Sequence, residues 1–382
     1  MTGSLQVKND KFYMVLNTRD ESGKRKLKWI CTGLACKGNK RKAEQMLRDT
    51  LQQYERQSGI IKSDVLFADY IRRWLGKIQR KVDPVTYQGY EVLARSQILP
   101  YFDTSGIKLQ DVTTEVLQAY VDEKRTNGRK DGKGGLSPAS LRRHKNILYQ
   151  TLNEAVREKL LPANPCQFLE LPRLEKYQSS YYSAEQLQWL FDAIRDEPLY
   201  PLVKITAMYG LRRSELLGLK WDSIDFNNDR LTICHTVSQV TKPVEKDKTK
   251  TASSFRSFPL VPEARSIFLK ARADEKENRR LSGKAYQENN YVFKWEDGHL
   301  YAPEYVSKQF AKLLDKYGLP HIRFHELRHS CASLLLNAGF TLKDVQEWMG
   351  HADIKMTADI YGHLDTARKQ SMATKLSGSL FE

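Results

Sequence analysis

The segment HELRHSCASLLL, which begins at His325, places two histidines and an arginine ahead of an apolar run. His325 and Arg328 are three residues apart, so in a helix they share one face. Both side chains donate hydrogen bonds to oxyanions. His325 and His329 also have the spacing of a zinc-binding H-E-x-x-H motif, with Glu326 as its acid. Three kinds of site fit these letters: a metal site, a structural ion pair, or a binding site for a phosphate.

Other segments in the same half of the chain carry further groups with reactive side chains. These are GLRRSEL with Arg212, Arg213 and Glu215, KDKTKTASSFRSFPL with Lys248 and Lys250, and MGHADIKMTADIYGH with His351, Tyr361 and His363. Arginine and lysine neutralise phosphate, histidine moves protons, and tyrosine becomes a nucleophile once a base removes its proton. Glu215 is either an acid that supports Arg212 or an exposed partner of it on a helix surface. Tyr361 also has a structural alternative, since most tyrosines at helical spacing pack in a core.

The chain as a whole carries an excess of positive charge. It has 382 residues, with 62 Lys or Arg against 46 Asp or Glu and a net charge of +16. The first sixty residues hold 13 Lys or Arg against 6 Asp or Glu, so the excess is concentrated there. Such a bias is typical of nucleic-acid-binding proteins, although some basic proteins use it only for solubility. The length predicts two or three domains.

Targeting signals are not evident in the letters. No apolar run approaches the length needed to span a bilayer, and the first residues, MTGSLQVKND, lack the apolar core of a signal peptide. The five cysteines are scattered, which suits a reducing compartment. We expect a cytosolic protein without membrane contact.

The first sixty residues predict a small sheet backed by a helix. The runs KFYMVLNTR and RKLKWICTG alternate around DESGK, which is typical of a hairpin, and NKRKAEQMLRDTLQQYERQ has helical periodicity. The apolar face of that helix is expected to be Ala43, Met46, Leu47 and Leu51. Basic residues on the exposed strand face are candidates for DNA contact in a major groove, namely Lys11, Arg19, Arg25, Lys26 and Lys28.

Residues 63–172 read as a bundle of four or more helices, and 173–181 as a linker. Thr113 or Thr114 is a plausible N-cap, and Ser137 and Pro138 are expected to cap and open a long helix. The candidate DNA contacts of this bundle are Thr86, Arg142, Arg143 and Lys145. Their alternative is an ordinary solvated helix surface. Residues 182–382 are expected to form a further, mainly helical domain with a strand-rich interval from Arg230 to Leu260.

Taken in order, GLRRSEL, a hairpin lysine, HELRH, the pair GH and a tyrosine ten residues later resemble the tyrosine recombinase (phage-type integrase) family. The resemblance is strong over residues 182–370 and is greatest to integrases of phages and conjugative transposons of Gram-positive bacteria. It implies a multidomain, mainly α fold with small β elements. The implied parts are an arm-type DNA-binding domain over 1–60, a SAM-like helical core-binding domain over 63–172 and a mixed α/β catalytic domain over 182–382.

The resemblance also implies a role for each matching residue. Arg212 and Arg328 match the two catalytic arginines, His325 and His351 the two histidines, and Tyr361 the nucleophile. Lys250 is the best match to the hairpin lysine, with Lys248 as the alternative. Glu215 matches a supporting acid, and His329 and His363 are expected to be structural. Arg213 is not assigned a catalytic role, because the family's arginine directly follows the GL pair. No metal or other cofactor is implied.

The implied reaction cuts and rejoins DNA through a 3′-phosphotyrosine bond, in the bacterial cytosol. The implied partners are core-type and arm-type attachment sites on double-stranded DNA, a homotetramer that exchanges C-terminal tails, and small accessory excision and DNA-bending proteins. Three other functions stay open from the letters. They are a type IB topoisomerase-like nicking and resealing enzyme, a DNA-binding regulator with a decayed site, and a zinc hydrolase.

Overall fold

The computed structural model describes residues 2–19, 25–58, 60–174, 180–239, 243–246 and 255–354, and the isolated positions 358, 373, 374, 376 and 377. It divides into two compact units, Met1–Glu175 and Lys176–Glu382. None of the described helices combines the length and the hydropathy that crossing a membrane requires.

An antiparallel sheet with the order β1-β2-β3 opens the first unit. Its strands are β1 (Gly3–Lys8), β2 (Lys11–Arg19) and β3 (Arg25–Ala35). The predicted hairpin of β2 and β3 is confirmed, whereas β1 was not foreseen. Asn9 and Asp10 join β1 to β2 with φ angles of 48° and 59°, the left-handed conformation that a tight two-residue hairpin turn requires. Because this turn contains no glycine, its signal in the sequence is weak.

Helix α1 (Lys40–Ser58) packs on one face of this sheet. Ala43 is fully buried, and Leu47 and Leu51 lie so close to Gly3 that a Cβ there would be 3.1 Å and 3.2 Å from their methyl groups. Met46 is 39% exposed, so its inclusion in the apolar face was wrong. The rest of the prediction for α1 is confirmed.

Helices form the remainder of the first unit. They are α2 (Phe67–Ile78), α3 (Pro84–Leu93), α4 (Leu99–Ser105), α5 (Thr114–Asn127) and α6 (Pro138–Arg157). Thr113 caps α5, and Ser137 caps α6 with Pro138 in its first turn, as predicted. Between α3 and α4 the chain makes a wider turn over Ala94–Ile98, with Leu99 N–H bonding to Ala94 O. Pro100 follows at once and has no N–H to continue the regular ladder.

The second unit is mainly helical. Its helices are α7 (Ala184–Ala193), α8 (Tyr200–Tyr209), α9 (Arg213–Leu217), α10 (Pro262–Ser282), α11 (Pro303–Lys316), α12 (Glu326–Asn337) and α13 (Leu342–Met349). Ser183 caps α7, and Gln186 returns a hydrogen bond to its backbone. Leu187, Leu202, Phe268, Phe310 and Leu327 are among the residues of one large buried core that joins these helices.

The strands of this unit fall between Arg230 and Leu260 as predicted, with one short addition before them. They are β4 (Ile224–Asp225), β5 (Arg230–Ile233), β6 (Thr236–Gln239), β7 (Pro243–Lys246) and β8 (Arg256–Pro259). The order β4-β5-β8 forms one antiparallel sheet, and β6 and β7 form a separate pair. Phe258 of β8 packs against Trp348 of α13, with ring centroids 4.7 Å apart. Strand β8 is thereby fixed beside the end of α13.

Candidate active site

The corner between α8 and α9 fixes the first arginine. Helix α8 ends at Gly210, whose φ of 63° is a left-handed C-cap, and Arg212 is the residue just before α9. Glu215 accepts hydrogen bonds from the backbone N–H of Arg212 at 2.9 Å and from its Nη1 at 2.6 Å. Nη2 of Arg212 donates to the carbonyl of Gly350 at 2.9 Å. The side chain stays 31% exposed, so part of it remains accessible to solvent.

Arg328 lies deeper than Arg212, with 2% of its surface exposed. Its Nη1 donates to the carbonyl of Gly210 and its Nη2 to the carbonyl of Met349. These carbonyls end α8 and α13, where the helix dipoles are negative and favour a cation. Burial, and then the charge of Arg212, lower the pKa of Arg328 to about 9, which still leaves it protonated at neutral pH. Among the described residues the hydrogen-bond partners of Arg328 are two carbonyls, so there it is not half of a direct ion pair.

The backbone at Gly210, where α8 ends, lies close to the side chain of Met349, the last residue of α13. A Cβ on Gly210 would lie 2.6 Å from Cε and 2.7 Å from Sδ of Met349, and 3.3 Å from Sγ of Cys331. Glycine is favoured there mainly by its positive φ, because the end of the Met349 side chain could shift to admit a Cβ. Gly350 ends α13 in the same left-handed conformation. The two glycines therefore place the carbonyls that hold the two arginines.

Glu215 is buried, with 1% of its surface exposed, so the alternative of an exposed helix-surface partner was wrong. Besides Arg212 it accepts from Arg256, whose Nη2 and Nη1 lie 2.9 Å and 3.2 Å from its two oxygens. Burial raises the pKa of Glu215, but the hydrogen bonds and charge of Arg256, with Arg212 and Arg328, outweigh it and lower the pKa to about 2. The carboxylate is ionised and shared between two guanidiniums.

Histidines line the same region. His351 follows the end of α13 and is 7% exposed; burial, and then Arg328 and Arg212, lower its pKa to about 3. His325 precedes α12 and is exposed, and its pKa is lowered by desolvation and then by the neighbouring His329, Arg328 and Arg212. The rings of His325 and His329 meet edge to face with centroids 5.1 Å apart. At neutral pH these imidazoles are uncharged, so each offers one donor and one acceptor.

The zinc-hydrolase motif is not assembled as that chemistry requires. Glu326 turns back to the start of its own helix, where it accepts from the backbone N–H of Arg323 at 2.6 Å and from Nη2 of Arg323 at 3.2 Å. A carboxylate held in this way cannot act as the base of a zinc site. Within the described ranges no group of three or more His, Cys, Asp or Glu side chains is placed to hold a metal ion.

Arg256 is the residue of this site that the sequence did not reveal. Its side chain is 8% exposed, and its Cζ lies 5.3 Å from the centroid of the Phe258 ring. An arginine opening a strand looks like any exposed basic residue, and its partner Glu215 is 41 positions earlier. Tyr361, Lys250, Lys248 and His363 lie outside the described residues.

Comparisons with known proteins identify the family of this chain. The model of the phage integrase family matches residues 181–368, and that of the phage integrase N-terminal SAM-like domain matches residues 66–125. The tyrosine recombinase XerC-like protein of Caldanaerobacter subterraneus subsp. tengcongensis is 30% identical, over 97% of this chain and 97% of its own length. The chain belongs to the tyrosine recombinase family. It is a site-specific DNA recombinase.

Relatives from mobile elements and solved structures extend this result. The ICEBs1 integrase of Bacillus subtilis is 24% identical over 83% of the recombinase and 84% of its own length. The transposase of transposon Tn916 from Enterococcus faecalis is 34% identical over 43% of this chain and 42% of its own length. The Tn1549 transposon integrase in complex with a circular intermediate DNA has the same fold. Its TM-score is 0.64 at 21% identity, covering 82% of this chain and 100% of that one.

The candidate DNA contacts on α6 differ from one another. Arg142 and Arg143 are exposed, and no ion pair of either is among those of the described residues. Lys145 is half-buried, and its Nζ donates to the carbonyl of Leu169 at 2.6 Å. Lys145 thus fastens α6 to the segment that follows it, which favours a structural role, and its DNA contact stays a prediction. Thr86 lies in the first turn of α3, half-buried.

The candidate contacts of the N-terminal sheet do not share one face. Lys28 pairs with Leu16, a fully buried residue on the side of α1, whereas Trp29 pairs with Val15 on the other side. Arg19 and Arg25 pair with each other at register positions of the same parity as Trp29. Lys28 was therefore wrongly grouped with Arg19 and Arg25, although it is exposed. The side chains of Arg19 and Arg25 are outside the described part.

Proposed function

We propose that the recombinase integrates and excises a mobile DNA element, cutting and rejoining each strand through a 3′-phosphotyrosine bond to Tyr361. The observation that carries this proposal is a buried excess of positive charge. Arg212, Arg256 and Arg328 meet here, and the Glu215 carboxylate hydrogen-bonds two of them, Arg212 and Arg256. Isolated buried charge is costly, so such an excess is expected where an anion binds.

The scissile phosphate is the anion in this proposal. Arg212 and Arg328 contact its non-bridging oxygens, and the carbonyls of Gly210, Met349 and Gly350 keep their guanidiniums in place beforehand. The charge that redistributes over these oxygens in the transition state then meets donors that need no reorganisation. His351, uncharged at neutral pH, donates one N–H to the same phosphate.

Tyr361 attacks phosphorus. A phenol has a pKa of about 10, so it needs a base and a positive field at neutral pH. His325 accepts its proton in this proposal, which suits an imidazole whose lowered pKa keeps it uncharged. Lys250 protonates the departing 5′ oxygen, with Lys248 as the alternative; both roles rest on the family motif. The new phosphotyrosine bond resembles the bond that was broken, so rejoining to another 5′-hydroxyl requires no ATP.

The proposed assembly follows the family layout. Residues 1–60 bind arm-type sites and 63–172 bind core-type sites, the stretch 173–181 links them to the catalytic domain, and 182–382 carry the chemistry. Four protomers act on two duplexes and exchange C-terminal tails, with small proteins assisting excision and DNA bending. A λ integrase tetramer bound to a Holliday junction, with a TM-score of 0.60 at 16% identity over 93% of this chain and 94% of that one, supports the assembly by its fold.

A nicked suicide duplex that spans the joined ends of the encoding element tests the reaction. The fragment released on cleavage diffuses away, so the covalent protein–DNA adduct accumulates and is counted on a denaturing gel. We expect an adduct with the wild-type chain in excess EDTA, none with Tyr361→Phe, and wild-type yield with the matched control Tyr305→Phe. An unchanged adduct with Tyr361→Phe would refute the role of Tyr361.

A second assay separates recombination from simple nicking and resealing. We expect no relaxation of a supercoiled plasmid that lacks the joined element ends, and strand exchange between two duplexes that carry them. Equal relaxation of both kinds of plasmid would favour the topoisomerase-like alternative.

A further inference from the structure

We infer that Arg256 is a positioning residue of the recombinase, which acts on strand cleavage through Glu215 and so holds Arg212 in register with the scissile phosphate. The inference rests on the proposed function and goes beyond it, because Arg256 matches none of the catalytic motifs. The chain of contacts is short. Arg256 binds Glu215, Glu215 binds Arg212, and the Arg212 side chain, proposed to contact the phosphate, stays partly exposed.

The geometry of Arg256 is that of a fixed fork. Its Nη2 and Nη1 approach the two carboxylate oxygens at 2.9 Å and 3.2 Å, which only a guanidinium does in this paired manner. The ring of Phe258 supports the guanidinium at 5.3 Å, and Trp348 supports that ring at 4.7 Å. The fork is therefore held by packing as well as by charge.

Glu215 depends on this fork in two ways. It must point its remaining lone pairs at the backbone and Nη1 of Arg212, and it must stay ionised to attract that guanidinium. The charged groups that act on it come from three elements, with Arg212 before α9, Arg256 on β8 and Arg328 on α12. Without Arg256, burial would raise the pKa of Glu215, and a protonated Glu215 would hold Arg212 less firmly.

A structural fastener would behave differently from a positioning residue. If Arg256 only tied β8 to α9, its loss would lower stability and scale down the rate alike at every pH. If it acts through Glu215, its loss should add an acid limb to the pH profile of cleavage, because the pKa of the buried Glu215 moves upward once Arg256 no longer binds it. Removing the carboxyl group must then remove that limb.

The experiment measures the single-turnover rate of adduct formation from pH 5 to 8 on the nicked suicide duplex. The variants are Arg256→Met, Arg256→Lys, Glu215→Gln and the double variant Arg256→Met/Glu215→Gln. Arg265→Met is the matched control, since Arg265 also pairs with an acid, Asp229 at 2.5 Å, and lies over a ring, Phe226 at 5.5 Å. Thermal unfolding and duplex binding of each variant are recorded beside the rates.

We expect Arg256→Met to slow cleavage about 100-fold at pH 7 and further as the pH falls, while duplex binding is retained. The double variant should be no slower than Glu215→Gln and should lack the acid limb, since residues that act as one unit are not additive. Arg256→Lys should recover part of the rate and the wild-type pH profile, because it keeps the charge but not the fork. Arg265→Met should match the wild type.

Two results would overturn the inference. One is a rate for Arg256→Met within twofold of wild type, and the other is a loss that is additive with Glu215→Gln and independent of pH. If Arg256→Met fails to fold, Arg256→Lys decides, alone and combined with Glu215→Gln. A wild-type rate, or a loss that is additive with Glu215→Gln, would count against the inference, and a reduced rate that is not additive with Glu215→Gln would support it. Absence of any adduct with the wild-type chain would instead refute the proposed function.

Discussion

The tripeptide Leu-Arg-Arg occurs in both units of the recombinase, and its arginines have different environments. In the first unit, Leu141 is buried within α6 while Arg142 and Arg143 are exposed. In the second, Leu211 is buried but Arg212 sits just before α9, bonded to Glu215 and to the carbonyl of Gly350.

Helix position explains the contrast. Ser137 caps α6, so its arginines lie within the helix, on the side facing solvent. At α9 the arginine itself stands at the helix start, with an extended backbone, and Glu215 reaches back to it. A pair of arginines is therefore a surface feature or a clamp depending on where the helix begins and which distant carbonyls it meets.

The largest difference in the rate of adduct formation is expected between Arg328→Met and Arg142→Met. Loss of Arg328 should slow adduct formation about 1,000-fold, because a preorganised donor pair is removed from the phosphate. Its free energy of unfolding should change by no more than about 2 kcal/mol, since removal of a crowded buried cation offsets the absence of its hydrogen bonds to two carbonyls. Arg142→Met should cleave within a few-fold of wild type at low salt. Equal loss of activity in both variants would abolish the comparison.

Arg212→Lys tests whether charge alone is sufficient at the α9 corner. A lysine keeps the charge, but its single ammonium cannot serve Glu215, the Gly350 carbonyl and a phosphate together. We expect cleavage about 100-fold slower with duplex binding unchanged, measured by single-turnover kinetics and a binding titration. Arg213→Lys is the matched neighbour and should cleave normally. A fast Arg212→Lys enzyme would show that geometry does not matter there.

The pH dependence of stability should report the buried carboxylate. The pKa of Glu215 is lowered to about 2, so ionised Glu215 stabilises the fold above its unfolded pKa of about 4.3. That contribution, roughly 3 kcal/mol, is lost as the pH falls from about 4.3 through 2. Denaturant unfolding of wild type and Glu215→Gln should therefore differ most at pH 7, by roughly half as much at pH 3, and converge only as the pH falls below about 2. If the two free energies of unfolding differed by the same amount at every pH, ionisation of Glu215 would not be the cause of the difference.

The exposed arginines of α6 should affect DNA binding rather than chemistry. For Arg142→Gln/Arg143→Gln we expect a shallower dependence of duplex affinity on salt, by about one unit of slope for each phosphate that an arginine no longer neutralises. The free energy of unfolding should stay within about 0.5 kcal/mol of wild type, as for other surface changes. Binding titrations at several salt concentrations measure the slope. An unaltered slope would show that α6 faces solvent and not DNA.

The smallest effect is expected for Lys145, whose substitution should change stability but not DNA binding. Because its ammonium donates to the Leu169 carbonyl, Lys145→Met should lower the free energy of unfolding by about 1 kcal/mol. The salt dependence of duplex binding should stay at the wild-type value. A shallower salt dependence of duplex affinity, without loss of stability, would show that Lys145 contacts DNA.

Local chemistry made much of this fold predictable from the sequence. The helix starts after Thr113 and Ser137 could be predicted because N-cap residues and prolines act within one turn of the helix. The order of arginines and histidines in the second unit was recognised from its resemblance to the tyrosine recombinase family. The helix starts depend on neighbours a few residues apart, which one sequence displays directly.

The remaining features depend on contacts that spacing does not encode. Arg256 meets Glu215 across 41 positions, and Arg212 meets Gly350 across 138. The error over Lys28 is of another kind, because Arg25 and Lys28 are three positions apart in one strand and side chains alternate between its faces. Lys145 was proposed as a DNA contact because it is a basic residue on α6. In the structure its ammonium group donates a hydrogen bond to the carbonyl of Leu169, 24 positions later.

The central claim is that the buried excess of guanidinium charge exists to neutralise one phosphate. A suicide duplex with a methylphosphonate at the scissile position, which lacks that charge, tests it with wild type and Arg328→Met. The account predicts that the defect of Arg328→Met shrinks from about 1,000-fold on the phosphodiester to about tenfold or less on the neutral substrate. A defect of equal size on both substrates would contradict it.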